Sequence, residues 1–290
     1  MIIHPAKNTT LWPLFQEAEV GEQLIAGKTF AEQQQENAEG IERAEQAAHA
    51  WVTKADWQKL AEVAKTSKSA ILKSNSGDTL AWIGQIDKNT KLTTEVIASE
   101  NSLLIKYPWE FIQINEQIVA QLTDNCFLGE VSPAAHIDGV VHIAKGSRIL
   151  PGVVIEGNIV IGENCKVGPN CYLRGATTIG DNCHIGQSVE IKNSIIGHGS
   201  SVGHLSYVGD SVIGNKVNFG AGTITSNLRH DGLNHRSVVN GALTDTKRRK
   251  FGCIVGDGVH TGILTAIYPG RKLGANSTTL PNSSVEQDIH

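Results

Sequence analysis

Hydrophobic positions in the second half of the chain recur at a fixed interval of six. Ile137, Ile143, Ile149, Ile155, Ile161, Val167, Leu173, Ile179, Ile185 and Ile191 follow one another without a miss. After a five-residue step the period resumes at Ile196, Val202 and Val208, and after a second at Ile213 and Phe219. The pattern breaks from about 226 to 253 and returns at Val255, Thr261, Ile267, Leu273, Thr279 and Val285. Neither an α-helix nor an ordinary alternating strand has that period. A coil of three short flat strands does, with one inward aliphatic residue per side and about 18 residues per turn. Glycine often follows the inward residue, as at Gly162, Gly168, Gly180, Gly186 and Gly209, where a side chain would crowd a corner or φ would be positive. The pattern predicts a left-handed parallel β-helix of hexapeptide repeats over residues 126–290, with an inserted loop at about 226–253.

The first part follows different rules. Polar, Ala- and Glu-rich sequence from about Ala31 to Lys73 has the spacing of helices, weakened at Gly40. Strands are expected at Leu80–Ile86 and Ser102–Ile105. A helix is expected after Pro108, with Phe111, Ile112, Ile114, Ile118, Val119 and Leu122 along it. Residues 1–125 thus read as a small α+β or mostly helical domain.

Composition sharpens this boundary. All five tryptophans (Trp12, Trp51, Trp57, Trp82, Trp109) lie before residue 110, whereas glycine is split 5 in residues 1–128 against 25 in 129–290. The formal charge is 25 − 29 = −4, which excludes a general basic grip on nucleic acid. No targeting segment or apolar membrane span is present, so a cytoplasmic location is expected. Five cysteines without a CxxC suggest reduced, partly buried thiols.

Stacked aliphatics fill the inside of such a prism, so sites are expected between chains, most simply in a homotrimer. The inserted loop gathers Arg229, His230, His235, Arg236, Lys247, Arg248, Arg249 and Lys250, a set suited to an anionic ligand. His230 and His235 are five apart, as zinc ligands of some β-helix hydratases are, but on a loop; no metal site is expected.

The segment VEIKNSIIGHGSSVGHLSYVGDSVIGNKVNFGAGTITSN resembles the acetyltransferase half of the bifunctional glucosamine-1-phosphate N-acetyltransferase and N-acetylglucosamine-1-phosphate uridylyltransferase family. NLRHDG, RRKFGCIVGD and HTGILTAIYPG are similar to its archaeal-type branch, and YPWEFIQIN resembles the linker before the β-helix there. The resemblance implies acetyl transfer from acetyl-CoA to the amino group of a hexosamine 1-phosphate, glucosamine or galactosamine 1-phosphate. It implies His204 as catalytic base and Arg174 and Lys192 as holders of the sugar phosphate. It also implies Glu190, Tyr207, Asn218 and Asn227 as contacts to the sugar or acetyl group.

Arg174 and Lys192 precede His204 by 30 and 12 residues, both multiples of six. On an uninterrupted repeat the three would share a strand position; the five-residue step near Ile196 shifts that register.

For the co-substrate, the resemblance implies Ala221, Gly262, Ile263 and Thr279 along a groove between prisms, with Arg271 and Lys272 meeting phosphates. The family has a serine where Ile263 stands, and a basic C-terminal arm that has no match before His290. Residues 1–128 contain no Gly-rich phosphate loop, so nucleotidyl transfer is expected to be missing. Two other readings remain open: a non-catalytic sugar-phosphate or sugar-nucleotide binding or regulatory subunit, and acyl transfer to another amino sugar nucleotide.

Overall fold

The computed structural model describes residues 1–4, 9–14, 19–67, 69–85 and 93–290. They form two compact units. One comprises Met1–Thr9, Glu19–Gln23 and Lys28–Lys106; the other comprises Thr10–Ala18, Leu24–Gly27 and Tyr107–His290. The division at 106/107 precedes the expected 125/126, because the helix after Pro108 packs on the β-helix. That helix is α3 (Glu110–Val119), and its Asn115 Nδ2 donates to the Ala176 carbonyl at 2.8 Å while its Oδ1 accepts from Thr178 Oγ1 at 2.6 Å.

The first unit is an α+β layer. Its sheet runs in the order Ile2–His4, Ala44–Ala47, Thr79–Ile83, Ser69–Lys73, Thr93–Ile97. The Ala- and Glu-rich stretch expected to be helical is only partly so. It yields α1 (Phe30–Asn37), strands Ala44–Ala47 and Ala50–Trp51, α2 (Lys54–Thr66) and strand Ser69–Lys73, with Lys68 outside the described residues. Alternation decides the first strand: Ala44 and Gln46 are buried whereas Glu45 and Ala47 are less so, a period of two hidden among good helix formers. Thr29 starts α1 through a capping box, its Oγ1 accepting from Glu32 N at 3.3 Å while Glu32 Oε2 accepts from Thr29 N at 2.8 Å. Trp57 and Leu60 of α2 are fully buried with Leu72 and Leu80 of the sheet. The expected strands appear as Thr79–Ile83 and Leu103–Leu104; Ile86 lies outside the described residues.

The second unit is the expected parallel β-helix, with three sheets of eight, six and eight strands. Every pairing between successive coils is parallel, and partners stand one turn apart: Val154 pairs with Tyr172 and Tyr172 with Glu190. The two five-residue steps shorten a turn by one residue each, so Thr178 pairs with Ile195 and Ile195 with Val212. The hexad aliphatics from Ile143 to Val285 stack inward as one core, each contributing roughly 1.5 to 3 kcal/mol by leaving water. Cys165, Cys171, Cys183 and Cys253 are buried free thiols in it, and Cys126 is exposed.

Of the five glycines after inward residues, only Gly168 has a positive φ, 99°. Gly162, Gly180 and Gly186 are small because the next coil leaves no room: a Cβ on Gly186 would stand 2.7 Å from the Gly203 carbonyl carbon. The corners that do need positive φ are commonly held by Asn, as at Asn164, Asn182 and Asn276.

The three faces differ outside. The first carries the outward row Val160, Thr178, Ile195, Val212, Ile254 and Lys272, all of which are buried. Part of its cover is α3 and part is the segment Leu24–Gly27, whose Ala26 N donates to Thr178 Oγ1 at 3.2 Å. The second carries Arg148, Lys166, His184, Ser201 and Asn218, exposed or half-buried. The third carries two parallel rows, Tyr172, Glu190, Tyr207 and Ile224 beside Glu156, Arg174, Lys192 and Gly209.

The interruption at 226–253 leaves the prism intact, since Val212 pairs across it with Ile254 and Ile224 with Ala266. It contains an antiparallel hairpin, Arg236–Val239 with Ala242–Asp245. Asn240 and Gly241 turn it with φ of 48° and 79°, the two positive values that a tight two-residue turn demands.

Candidate functional site

The third face holds a polar cluster that extends beyond the residues expected there. Arg174 and Lys192 are register partners on adjacent coils, so their side chains rise from neighbouring strands at the roughly 4.8 Å sheet spacing. The Arg174 guanidinium meets Glu190 Oε1 through Nε at 2.7 Å and Nη2 at 2.6 Å, and lies 5.5 Å from the centre of the Tyr172 ring. Lys192, mostly buried, gives its ammonium not to Glu190 but to both oxygens of Asp210, each at 2.7 Å.

Asp210 is 2% exposed and sits at a corner with φ of 49°. It also accepts from Asn227 Nδ2 at 2.6 Å and from Asn193 Nδ2 at 3.1 Å. Asn227 Nδ2 in turn donates to Tyr207 Oη at 2.8 Å. Burial, aided by Asp210 and Glu190, raises the pKa of the Tyr207 phenol above the ordinary tyrosine value and so keeps its proton in place.

Gly209 makes room for this arrangement. A Cβ there would stand 2.7 Å from Tyr207 Cζ and 2.8 Å from Asn227 Nδ2. Behind the cluster, Asn193 Nδ2 also reaches Glu116 Oε1 of α3 at 2.7 Å, and Arg248 Nη2 meets the same oxygen at 2.5 Å.

Five expected residues, Lys192, Tyr207, Asn227 and the Arg174–Glu190 pair beside them, therefore share one face. His204 does not. It pairs with Gln187 at the end of strand Ser201–His204 on the second face, exposed, because twelve residues span only two thirds of a turn from Lys192. Burial, then Lys166, then His204 itself pull the pKa of His184 on that face below the usual imidazole value. Asn218 is also there, exposed, and pairs with Ser201. His204 and Ala221 follow each other at one corner, where their carbonyls accept from Gly222 N at 3.1 Å and Leu264 N at 2.8 Å.

Along that edge Ile263 is exposed, and Gly262 N donates to Thr279 Oγ1 at 3.0 Å. Leu205, Leu264 and Leu280 are exposed as well. Gly262, Ile263, Thr279 and Ala221 thus lie on an accessible, largely apolar edge. Arg271 is half-buried. Lys272 does not fit the role expected of it: it is 4% exposed, 3.6 Å from Asp288 and 5.1 Å from the centre of the Trp12 ring. Burial lowers its pKa, so it serves the interior and not a phosphate.

The inserted loop spends several of its cations internally. Arg229 pairs with Asp231 and Arg248 with Glu116. His235 is 2% exposed, its Nε2 donating to the Asn227 carbonyl at 3.0 Å, and burial lowers its pKa. His230, Arg236, Lys247, Arg249 and Lys250 are exposed. Beside the loop a cleft of about 550 Å³ is bounded by residues that include Leu228, Arg229, Tyr268 and Pro269. No group of acids, histidines or cysteines able to hold a metal occurs among the described residues, and no described helix is long and apolar enough to cross a membrane.

Asp210 and Glu116 are the functional-site residues that the periodic reading missed. Asp210 sits on a corner, outside the inward hexad positions, and Glu116 lies on a helix remote in sequence.

The GMPPB C-terminal domain family matches residues 131–223 and 155–290, together more than half of the chain. A bifunctional sugar-1-phosphate nucleotidylyltransferase/acetyltransferase of Sulfurisphaera tokodaii is 42% identical over 182 residues, 63% of this chain and 45% of its own length. The bifunctional protein GlmU of Methanococcus aeolicus is 43% identical over 183 residues, 63% of this chain and 44% of its own length. The chain thus spans less than half the length of these relatives. Among solved structures, UDP-N-acetylglucosamine acyltransferase of Francisella novicida aligns over 57% of this chain and 63% of its own, with 18% identity and a TM-score of 0.30.

Proposed function

Because the chain belongs to the GMPPB C-terminal domain family, we propose that its β-helix transfers an acetyl group from acetyl-CoA to the amino group of a hexosamine 1-phosphate, glucosamine or galactosamine 1-phosphate. The observation that carries this reading is the built polar cluster on the third face. Arg174 offers a fork to phosphate oxygens, and Tyr207 and Asn227 offer neutral groups suited to sugar hydroxyls. Identity of 42% over 182 residues to a bifunctional sugar-1-phosphate nucleotidylyltransferase/acetyltransferase supports it.

Acetyl-CoA, when bound, supplies an acetyl carbon already activated as a thioester. The chain's own residues then have two tasks. The third face and the loop hold and orient the sugar phosphate, and His204 takes the proton that the amine must lose as its nitrogen bonds to the acetyl carbon. The carbon–sulfur bond breaks, and the proton returns to the departing sulfur, which leaves as free thiol. His204 is on a neighbouring face from the phosphate-holding set. We therefore place the site between copies of a homotrimer, one prism giving the base and its neighbour the binding face.

A second reading, a non-catalytic sugar-phosphate binding subunit, is favoured by one specific observation. The ammonium of Lys192 is already matched by Asp210, and that of Lys272 by the interior. A free-thiol assay with acetyl-CoA and each hexosamine phosphate separates the two. Thiol release that depends on one sugar, and falls at least about a hundredfold in His204→Ala with the assembly intact, is the result expected of a general base. Calorimetric binding of the sugar without thiol release would replace the enzyme by the binding subunit.

A further inference from the structure

We propose that Asp210 is a positioning residue that fixes the hydrogen-bonding polarity of the third face, and so decides which ligand groups that face accepts. The inference deepens the proposed function and rests on it for the identity of the ligand, but not for the arrangement itself.

Asp210 is almost wholly buried, and as a carboxylate it can only accept. Its two oxygens receive Lys192 Nζ, Asn227 Nδ2 and Asn193 Nδ2. This settles the orientation of the Asn227 amide: its nitrogen faces Asp210, since turning it over would set two acceptors against each other. The same nitrogen donates its second proton to Tyr207 Oη, at 2.8 Å. Both Asn227 N–H groups are then spent inward, and its Oδ1 is left to accept. Tyr207 receives a hydrogen bond from Asn227, so its own O–H is left to donate. Lys192 has three N–H donors and gives two to Asp210, leaving one.

The face thereby presents a defined pattern: a donor at Tyr207, an acceptor at Asn227 and one charge-assisted donor at Lys192. A ligand that complements it carries an anionic or hydroxyl acceptor towards Lys192 and Tyr207 and a donor, a hydroxyl or an ammonium, towards Asn227. A phosphorylated amino sugar has both at separate positions; inorganic phosphate has no ammonium or sugar hydroxyl, and its only donor is a P–OH on the same centre as its acceptors. Asp210 itself does not reach the ligand side. Glu116 completes the frame by holding Asn193 from α3.

Asp210→Asn tests this, because it keeps the shape but removes the pure acceptor. In the ligand-free protein, the side-chain amide protons of Asn227, read by nuclear magnetic resonance, should exchange with water at least about tenfold faster in the variant; equal exchange would overturn the proposal. Calorimetry with glucosamine 1-phosphate and with inorganic phosphate gives the second arm. The variant should lose about tenfold or more in affinity for the sugar phosphate and clearly less for phosphate alone. Equal losses for both would overturn the specificity role.

If Asp210→Asn fails to fold, Asn227→Ala removes the acceptor that Asp210 orients and should cost affinity for the sugar phosphate more than for phosphate alone; equal losses would overturn the proposal. Wild-type protein that binds neither ligand yet shows the slow Asn227 exchange would refute the proposed function while leaving the polarity assignment standing.

Discussion

The first and third faces of the prism are built on the same ladder yet use their outward positions in opposite ways. On the first, Val160, Thr178, Ile195, Val212 and Ile254 point out and are nonetheless buried. On the third, the equivalent outward positions are Arg174, Glu190, Lys192 and Tyr207, linked through Asp210 and Asn227. The β-helix core is indifferent to this choice, since the inward aliphatics are the same on both sides. What differs is the company: α3 and the segment Leu24–Gly27 lie over the first face. A face with aliphatic outward residues is a mounting surface, and one with interlinked polar residues is a working surface.

Substitutions can break this contrast. The largest effect is expected on the first face: Ile195→Lys buries an unmatched ammonium and should cost about 3 to 5 kcal/mol, seen as a lower denaturation midpoint. A midpoint equal to wild type would mean that the face is not covered in solution. On the third face Gly209→Ala should act on binding more than on stability. The new methyl displaces the Tyr207 ring and the Asn227 amide, and a rise in KM for the sugar phosphate of about tenfold is expected, with a melting temperature within a few degrees of wild type. An unchanged KM would detach Tyr207 from the ligand. The second face supplies the baseline. Lys166→Ala removes an exposed cation from a solvated row and should change stability by no more than about 0.5 kcal/mol. A larger change in chemical denaturation would reveal a cover on that face too.

Much of this was legible in the spacing of aliphatic residues, because the prism interior reads one side chain per hexad and tolerates no other period. The two five-residue steps were visible as well, and they return as the shortened turns that pair Thr178 with Ile195 and Ile195 with Val212. The aliphatic outward positions Val160, Ile195, Val212 and Ile254 also carried a signal for a covered face, but it shows only once each hexad is assigned to a side. The strand Ala44–Ala47 escaped because alanine and glutamate favour helix locally, whereas neighbouring strands on both sides supply the ladder that wins. An uninterrupted repeat would give His204 the strand position of Lys192, but the five-residue step near Ile196 shifts the register as expected: Lys192 follows inward Ile191 by one residue, whereas His204 follows inward Val202 by two and stands on another side. Asp210 and Glu116 join groups remote in sequence, and no periodicity announces a carboxylate on a corner or a helix.

The inserted hairpin has a consequence of another kind. The ladder closes behind it, Val212 meeting Ile254 and Ile224 meeting Ala266 as though nothing intervened. Its length is therefore invisible to the coils above and below. Its turn at Asn240–Gly241 is an exchangeable part and can be lengthened without re-solving the packing of the scaffold, whereas its base is anchored, with Ser237 Oγ donating to the Gly270 carbonyl at 2.9 Å and Arg248 paired with Glu116. Diversification of such a protein can proceed at one corner while the rest of the chain stays under unchanged constraint.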